Sequence, residues 1–195
     1  MTGIIILAAG SSSRFGSPKQ NLIYQGKTLL QRAIQTAITS ASCESVLVVL
    51  GANEDEIRPH ISDQQVNIVY NPQWQEGMAS SIRLGISELQ RLEPLTTSVL
   101  LMLCDQPFVD PLLIYQLTER KTENDSGIVA CEYKSTFGVP ALFDEKYFPH
   151  LKSLTGNEGA KKLINSYPED VVSVPFALGA IDIDTIEDYE RLNNR

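Results

Sequence analysis

Ile4-Ile5-Ile6-Leu7-Ala8-Ala9-Gly10-Ser11-Ser12-Ser13-Arg14-Phe15-Gly16-Ser17-Pro18-Lys19 is the stretch that decides the fold. Its first half is apolar, β-branched and uninterrupted, as a strand buried on both faces of a parallel sheet should be; a half-solvated strand would alternate. The run then stops at small residues and offers two cations. A loop with so little side-chain bulk lets backbone N–H groups close around an anion, and Arg14 and Lys19 neutralise what they hold. A strand emptying into such a loop outlines a nucleoside triphosphate site. The same pattern also describes an ordinary turn, and the choice falls to the rest of the chain.

Outward from the loop, Thr28 to Ile38 places apolar side chains at helical spacing with Thr28 as N-cap. Ser45–Leu50, ending at Gly51, and Val66–Tyr70, ending at Asn71-Pro72, read as strands, with a short helix over Glu54–Ile61 between them. Alternating strand and helix favours a parallel doubly wound sheet. Gly77-Met78 opens a helix over Ser80–Leu92, closed by Pro94, and Ser98–Leu103 is a fourth buried strand that delivers Cys104-Asp105-Gln106-Pro107 at its carboxyl end. Asp110 and Pro111 suit the N-cap and first position of a helix reaching about Arg120. Gly127–Tyr133 and Phe137–Phe143 are spaced as a hairpin added to the sheet. Two short helices over Tyr147–Leu154 and Gly159–Tyr167, the strand-like runs Val171–Val174 and Ala180–Asp184, and a helix over Thr185–Leu192 complete the chain. The expectation is one α/β domain over residues 1–195.

Composition excludes several classes. A chain of 195 residues with 43% hydrophobic and 21% charged residues is an ordinary globular protein. Its net charge of -8 disfavours long-range attraction to nucleic acid or anionic membrane. An anionic substrate therefore has to be held by locally placed cations. Cys43, Cys104 and Cys131 are an odd, widely spaced set without a C-x-x-C pair, which argues against a disulfide or thiolate-metal framework. Met1 runs straight into the first strand without a basic leader or a bilayer-length apolar run, and the expected location is cytoplasmic.

Three acids can carry metal chemistry. Asp105 ends a central strand, where ligands sit in open α/β sheets, although an Asp before Pro107 also suits a turn. Asp182 and Asp184 share one face if Ile181 and Ile183 share the other. Two such carboxylates repel unless a cation holds them or one caps the last helix, a role open to Asp184 or Thr185. Mg²⁺ prefers oxygen ligands and needs only one or two carboxylates beside substrate phosphates, so Asp105 with Asp182 or Asp184 suffices. His60 and His150 lack metal-binding spacing. Cys104 borders the site and reads as a small buried residue rather than a nucleophile. No G-x-S-x-G elbow offers acyl transfer, and no G-x-G-x-x-G follows the first strand to suggest a dinucleotide-binding oxidoreductase.

Leu7-Ala8-Ala9-Gly10-Ser11-Ser12-Ser13-Arg14-Phe15-Gly16-Ser17-Pro18-Lys19 resembles the signature loop of nucleotidyltransferases with a nucleotide-diphospho-sugar transferase fold. Together with Gly77-Met78-Ala79-Ser80-Ser81-Ile82, Asp105-Gln106-Pro107-Phe108-Val109, Gly138-Val139-Pro140-Ala141-Leu142-Phe143 and Asp182 to Tyr189, it is similar to the molybdenum cofactor nucleotidyltransferases over nearly the whole chain. The resemblance implies a Rossmann-like three-layer α/β/α domain with a mostly parallel mixed sheet. It also implies attack of a terminal phosphate on the α-phosphorus of a nucleoside triphosphate, with loss of pyrophosphate. The acceptor is already anionic, so positioning and charge neutralisation replace a general base.

By the same resemblance Arg14, Lys19 and Asp105 are the catalytic residues. Leu7, Ala8, Ala9, Gly10, Ser11, Ser12, Arg14, Lys19, Gly77, Ser80 and Ser81 bind the nucleotide, with Ser81 near the base. Asp105, Asp182 and Asp184 supply the Mg²⁺ ligands. Guanylyl-transferring relatives carry Leu-Ala-Gly-Gly, and Ala9 here implies CTP, with molybdopterin cofactor as acceptor and a transient molybdoenzyme contact. The alternatives are GTP as donor, a sugar or polyol phosphate as acceptor, or a non-catalytic cofactor-delivery protein. Four positions depart from the usual pattern: Cys104 stands for Gly, Val139 for a frequent His, Asn157 for Asp and Asn21 for Leu. Val139 bears on acceptor recognition.

Overall fold

The buried run is β1 (Thr2–Ala8), hydrogen-bonded on both sides within a seven-stranded sheet. A computed structural model describes residues 1–40, 45–124 and 126–194, so Cys43 lies outside the described residues. In chain order β1 is followed by a small ribbon, β2 (Ile23–Tyr24) and β3 (Lys27–Thr28), then α1 (Leu29–Thr39), β4 (Ser45–Leu50), α2 (Glu54–Ile57), β5 (Asn67–Tyr70) and α3 (Met78–Leu92). β6 (Ser98–Leu103), α4 (Pro111–Glu123), β7 (Ile128–Tyr133) and β8 (Thr136–Asp144) come next. α5 (Phe148–Lys152), α6 (Ala160–Ser166), β9 (Val171–Pro175) and α7 (Ile186–Asn193) close the chain.

The sheet order is β5-β4-β1-β6-β8-β7-β9. β5, β4, β1 and β6 are mutually parallel, β8 runs antiparallel to both β6 and β7, and β9 is parallel to β7. The expected mostly parallel mixed sheet with an added hairpin is therefore what forms. Alternate residues of β1, with Ala9 just after it, serve two cores. Ile4, Ile6 and Ala8 pack under α1 and α4, while Ile5, Leu7 and Ala9 pack under α3, α5 and α6. That double burial is why the run carries no polar residue.

Local chemistry fixes the helix starts. Thr28 caps α1 by accepting from the Gln31 amide while the Gln31 side chain accepts from the Thr28 amide, and Asp110 caps α4 ahead of Pro111. Thr185, rather than Asp184, caps α7 through a reciprocal pair with Asp188. One expectation fails: residues 181–184 are not a sheet strand. The segment is tied inward by the Ile183 amide, which donates to the Asp105 carbonyl at 3.0 Å, and by the Asp184 carboxylate, and Ile183 is buried. No helix among the described residues is long and apolar enough to cross a membrane.

The chain goes from β1 to β4 and β5 on one side, then crosses back to β6 on the other side of β1. A crevice opens where the order reverses, at the carboxyl ends of β1 and β6. Gly51, just past β4, lets that rim close. A Cβ there would stand 2.7 Å from the Cβ atoms of Ala9 and Trp74 and 2.8 Å from the Ala9 carbonyl oxygen. Gly51→Ala is expected to destabilise the fold by about 1–3 kcal/mol through overpacking. Denaturant unfolding checks this, and a wild-type midpoint would contradict the packing described.

Candidate active site

Lys19 is the hub of the crevice. It opens a 3-10 turn (Lys19–Asn21), and its Nζ donates to Asp105 Oδ2 at 2.6 Å and to Asp184 Oδ1 at 2.9 Å. The ammonium thus joins the first loop, the end of β6 and the entry to α7. Its side chain is 15% exposed, Asp105's 13% and Asp184's 36%. Arg14 stands outside this group. It is 71% exposed and reaches Asp184 Oδ2 only at 3.4 Å, as a cation on the rim.

Burial opposes Lys19's charge, but the adjacent Asp105 carboxylate and the hydrogen bonds to Asp105 and Asp184 outweigh it, and its pKa is raised. Burial pushes the Asp105 carboxyl above the usual carboxylate range, partly offset by Lys19. The Lys19 hydrogen bond holds Asp184 below that range.

Asp105 Oδ1 is buried without a hydrogen-bond partner. A hard cation is the natural partner for a carboxylate oxygen left in this state, so the residues fit a Mg²⁺ or similar ion. Among the described residues no three His, Cys, Asp or Glu side chains converge as a ready-made metal cage. Protein ligands would therefore number one or two, the rest coming from substrate phosphate and water, as is usual for Mg²⁺.

The loop above Lys19 has its carbonyls tied back one after another. Gln20 Nε2 donates to the carbonyls of Ala8 at 2.8 Å and Gly10 at 3.0 Å. The Ala9 carbonyl accepts from the Ala52 amide, Ser11 from Asn53 Nδ2 and Ser12 from the Phe15 amide. Ser12, at φ 53, donates through Oγ to Gln20 Oε1 and accepts from the Lys19 amide. The amides of Gly10 and Ser11 donate to no protein acceptor among the described residues.

The far wall comes from α3 and the segment before α6. Gly77, the N-cap of α3, sits at φ 118, and a Cβ there would strike the Gly156 carbonyl and lie 2.5 Å from Asn157 Oδ1. Only glycine satisfies both demands. Between the walls is a cleft of about 470 Å³, within the usual range for small-molecule sites. Cys104 lies in its floor, and burial pushes the thiol up to about 12, which keeps it protonated and inert.

Leu7, Ala8, Ala9, Gly10, Ser11, Lys19, Gly77, Ser81 and Asp105 all line this cleft. Ser12 works behind the loop. Ser80 also turns away: its hydroxyl donates toward the Gln73 and Gly77 carbonyls and accepts from Asn71 Nδ2. The same Asn71 amide donates to Ser81 Oγ at 2.9 Å. Asp182 and Asp184 do not act as a pair, for Asp184 joins Lys19 whereas Asp182 is exposed and bonds to neither Lys19 nor Arg14. His60 and His150 lie outside the cleft lining.

Gln20, Asn71, Trp74 and Asn157 were not selected from sequence as site residues, yet Gln20, Trp74 and Asn157 line the cleft and Asn71 braces it. Gln20 alone had a usable signal, a long amide beside a basic residue after a small-residue loop.

Residues 4–171 match the family described as MobA-like NTP transferase domain. Nicotine blue oxidoreductase of Paenarthrobacter nicotinovorans is 29% identical over 98% of this chain and 96% of its own. Purine catabolism protein PucB of Bacillus subtilis is 26% identical over 95% and 93%. Molybdenum cofactor cytidylyltransferase of Escherichia coli is 30% identical over 44% of each chain. Rv0371c of Mycobacterium tuberculosis superposes with a TM-score of 0.87 at 29% identity, covering 100% of this chain and 97% of that one. It has also been solved in complex with manganese, with a TM-score of 0.81 to this chain at 27% identity, covering 99% and 97%. The chain belongs to the MobA-like NTP transferase family and is a nucleotidyltransferase by family and fold.

Proposed function

We propose that this chain transfers CMP from CTP to the terminal phosphate of molybdopterin cofactor, releasing pyrophosphate, with Mg²⁺ as the metal. The observation that carries the reading is the Lys19 ammonium, fixed by Asp105 and Asp184 beneath a loop that keeps two amides free. Such a site is built to neutralise a polyphosphate. An acceptor phosphate oxygen forms a bond to the α-phosphorus while the bond to the bridging α–β oxygen breaks, and pyrophosphate leaves with that electron pair. Lys19 and the Gly10 and Ser11 amides take up charge on the departing pyrophosphate, and Arg14 on the rim screens the incoming phosphates. Bound Mg²⁺ would neutralise charge across the phosphates, with Asp105 Oδ1 as its buried ligand and Asp184, rather than Asp182, as the neighbouring carboxylate.

Ala9 supports CTP: its methyl lies in the cleft lining, against Gly51, where a pyrimidine needs less room than a purine. The similarity to the Escherichia coli cytidylyltransferase supports the acceptor. The setting would be the cytoplasm, with product passed to a molybdoenzyme.

A second reading rests on the full-length similarity to nicotine blue oxidoreductase, by which the cleft would serve an oxidoreductase. Pyrophosphate release and NADPH oxidation by the purified protein separate the two. Release is expected only with CTP, molybdopterin cofactor and a divalent cation together, with no NADPH consumed. Turnover of a sugar phosphate but not of the cofactor would overturn the acceptor, and NADPH oxidation without release would overturn transfer.

Asp105→Asn should lower kcat by about 10²–10³-fold, the scale of losing one electrostatic contributor, while the circular dichroism spectrum stays native. An active variant would remove the metal assignment. Ala9→Gly should lower the CTP-to-GTP ratio of kcat/KM by about tenfold, the upper end for contact differences of one methylene's size. An unchanged ratio would detach base choice from this residue.

A further inference from the structure

We propose that Gln20 is a positioning residue for the polyphosphate-binding loop: its carboxamide holds the loop carbonyls so that the Gly10 and Ser11 amides remain available to an anion. The inference rests on the reading of the cleft as a triphosphate site and adds to it the element that sets the loop's polarity.

A short backbone loop binds an anion only if its N–H groups, not its carbonyls, face the ligand. Peptide units rotate, and a loop rich in serine and glycine has little steric bulk to stop them. Five successive carbonyls, Ala8 to Ser12, each have a protein donor here. One side chain supplies two of those five, skipping the residue between them.

Gln20 is 1% exposed, so no water competes for its amide. Its orientation is not interchangeable. Nε2 faces two carbonyls, while Oε1 accepts from Ser12 Oγ at 3.1 Å; rotating the amide would set an oxygen against both carbonyls. The Ser12 hydroxyl in turn receives the Lys19 amide at 3.0 Å. Gln20 thereby couples the loop to the residue that carries the ammonium, and the amide array and the cation are set as one unit. Burying a carboxamide of this size is costly unless every polar atom is satisfied, and here they are. A core position with no orienting task would be filled by leucine or methionine at lower cost.

Loss of the Gln20 carboxamide should weaken the hold on phosphate and not on nucleoside. Gln20→Met keeps length and volume and loses both donors and the acceptor. Gln20→Asn keeps a carboxamide but is one methylene too short to span both carbonyls. Affinities for Mg²⁺-pyrophosphate and for CMP are measured by calorimetry on the full chain, with amide hydrogen exchange over residues 8–19.

Both variants should bind pyrophosphate about tenfold or more weakly, the scale of losing a hydrogen bond to a charged group, with CMP affinity within about twofold of wild type. Exchange should rise at the Phe15 and Lys19 amides, which Ser12 holds, and stay unchanged in β4 and β6. Equal losses for CMP and pyrophosphate, or losses that follow the drop in melting temperature, would reduce Gln20 to a packing residue. Unchanged pyrophosphate binding in a folded variant would also overturn the proposal. Wild-type protein that binds pyrophosphate but does not turn over CTP would overturn the reading of the reaction while leaving this one standing. Wild-type protein that binds no pyrophosphate would overturn both.

Discussion

The ion pair between Lys19 and Asp105, shared with Asp184, is the constraint around which the site is assembled. Its three members are distant in sequence and meet only because β1 and β6 are neighbours and because Ile183 is pulled in against the Asp105 backbone. A cation buried among carboxylates stabilises a fold little, since desolvation consumes much of the Coulomb gain. Its value here is in what it prepares. The ammonium is fixed at the cleft wall, where we propose a polyphosphate binds, and Asp105 keeps one oxygen without a partner.

The rest of the structure supplies what that pair cannot. The parallel core of β4, β1 and β6 makes a rigid base, buried on both faces, from which loop and carboxylate both spring. The small ribbon and α7 stand over the loop: Phe15 meets Tyr189 edge-on at 6.4 Å, and the Tyr189 hydroxyl donates to the Ile23 carbonyl at 2.7 Å. Opposite, Arg83 grips Glu76 through both terminal nitrogens and also donates to the Leu154 carbonyl, which steadies the turn into Gly77. Both walls are therefore braced from outside by contacts that never touch the cleft. Relatives matched over nearly the whole chain carry names as different as nicotine blue oxidoreductase and PucB. Ala9, Trp74 and Asn157 are among the residues that line the cleft between those walls.

Much of this was legible in the sequence where the signal is local. The unbroken apolar runs of β1, β4 and β6, the Thr28 and Asp110 caps and the spacing of the β7–β8 hairpin each follow from neighbouring residues, and the fold class follows from their order. Lys19 and Asp105 were legible too, because one follows a small-residue loop and the other ends a buried strand. What escaped depends on tertiary approach. Period-two spacing puts Asp182 and Asp184 on one face of a strand, but among the described residues no strand pairs with residues 181–184, and the entry to α7 sends the two acids to different surroundings. Ser80 and Ser81 look alike in sequence, but the Ser80 hydroxyl is turned to the Gln73 and Gly77 carbonyls while Ser81 lines the cleft. Gln20 has no local reason to be buried; its partners are carbonyls 10 and 12 residues away.

In the proposed reaction the Lys19 hub recognises the charge of the β- and γ-phosphates rather than the nucleoside. The most direct measurement is the affinity of Lys19→Met for CTP and for CMP, each with Mg²⁺, by calorimetry beside the wild-type protein. CTP binding should weaken by about tenfold or more, the cost of removing a charged donor, while CMP binding stays nearly unchanged. Equal affinities of variant and wild type for CTP, or equal losses for CTP and CMP, would contradict it.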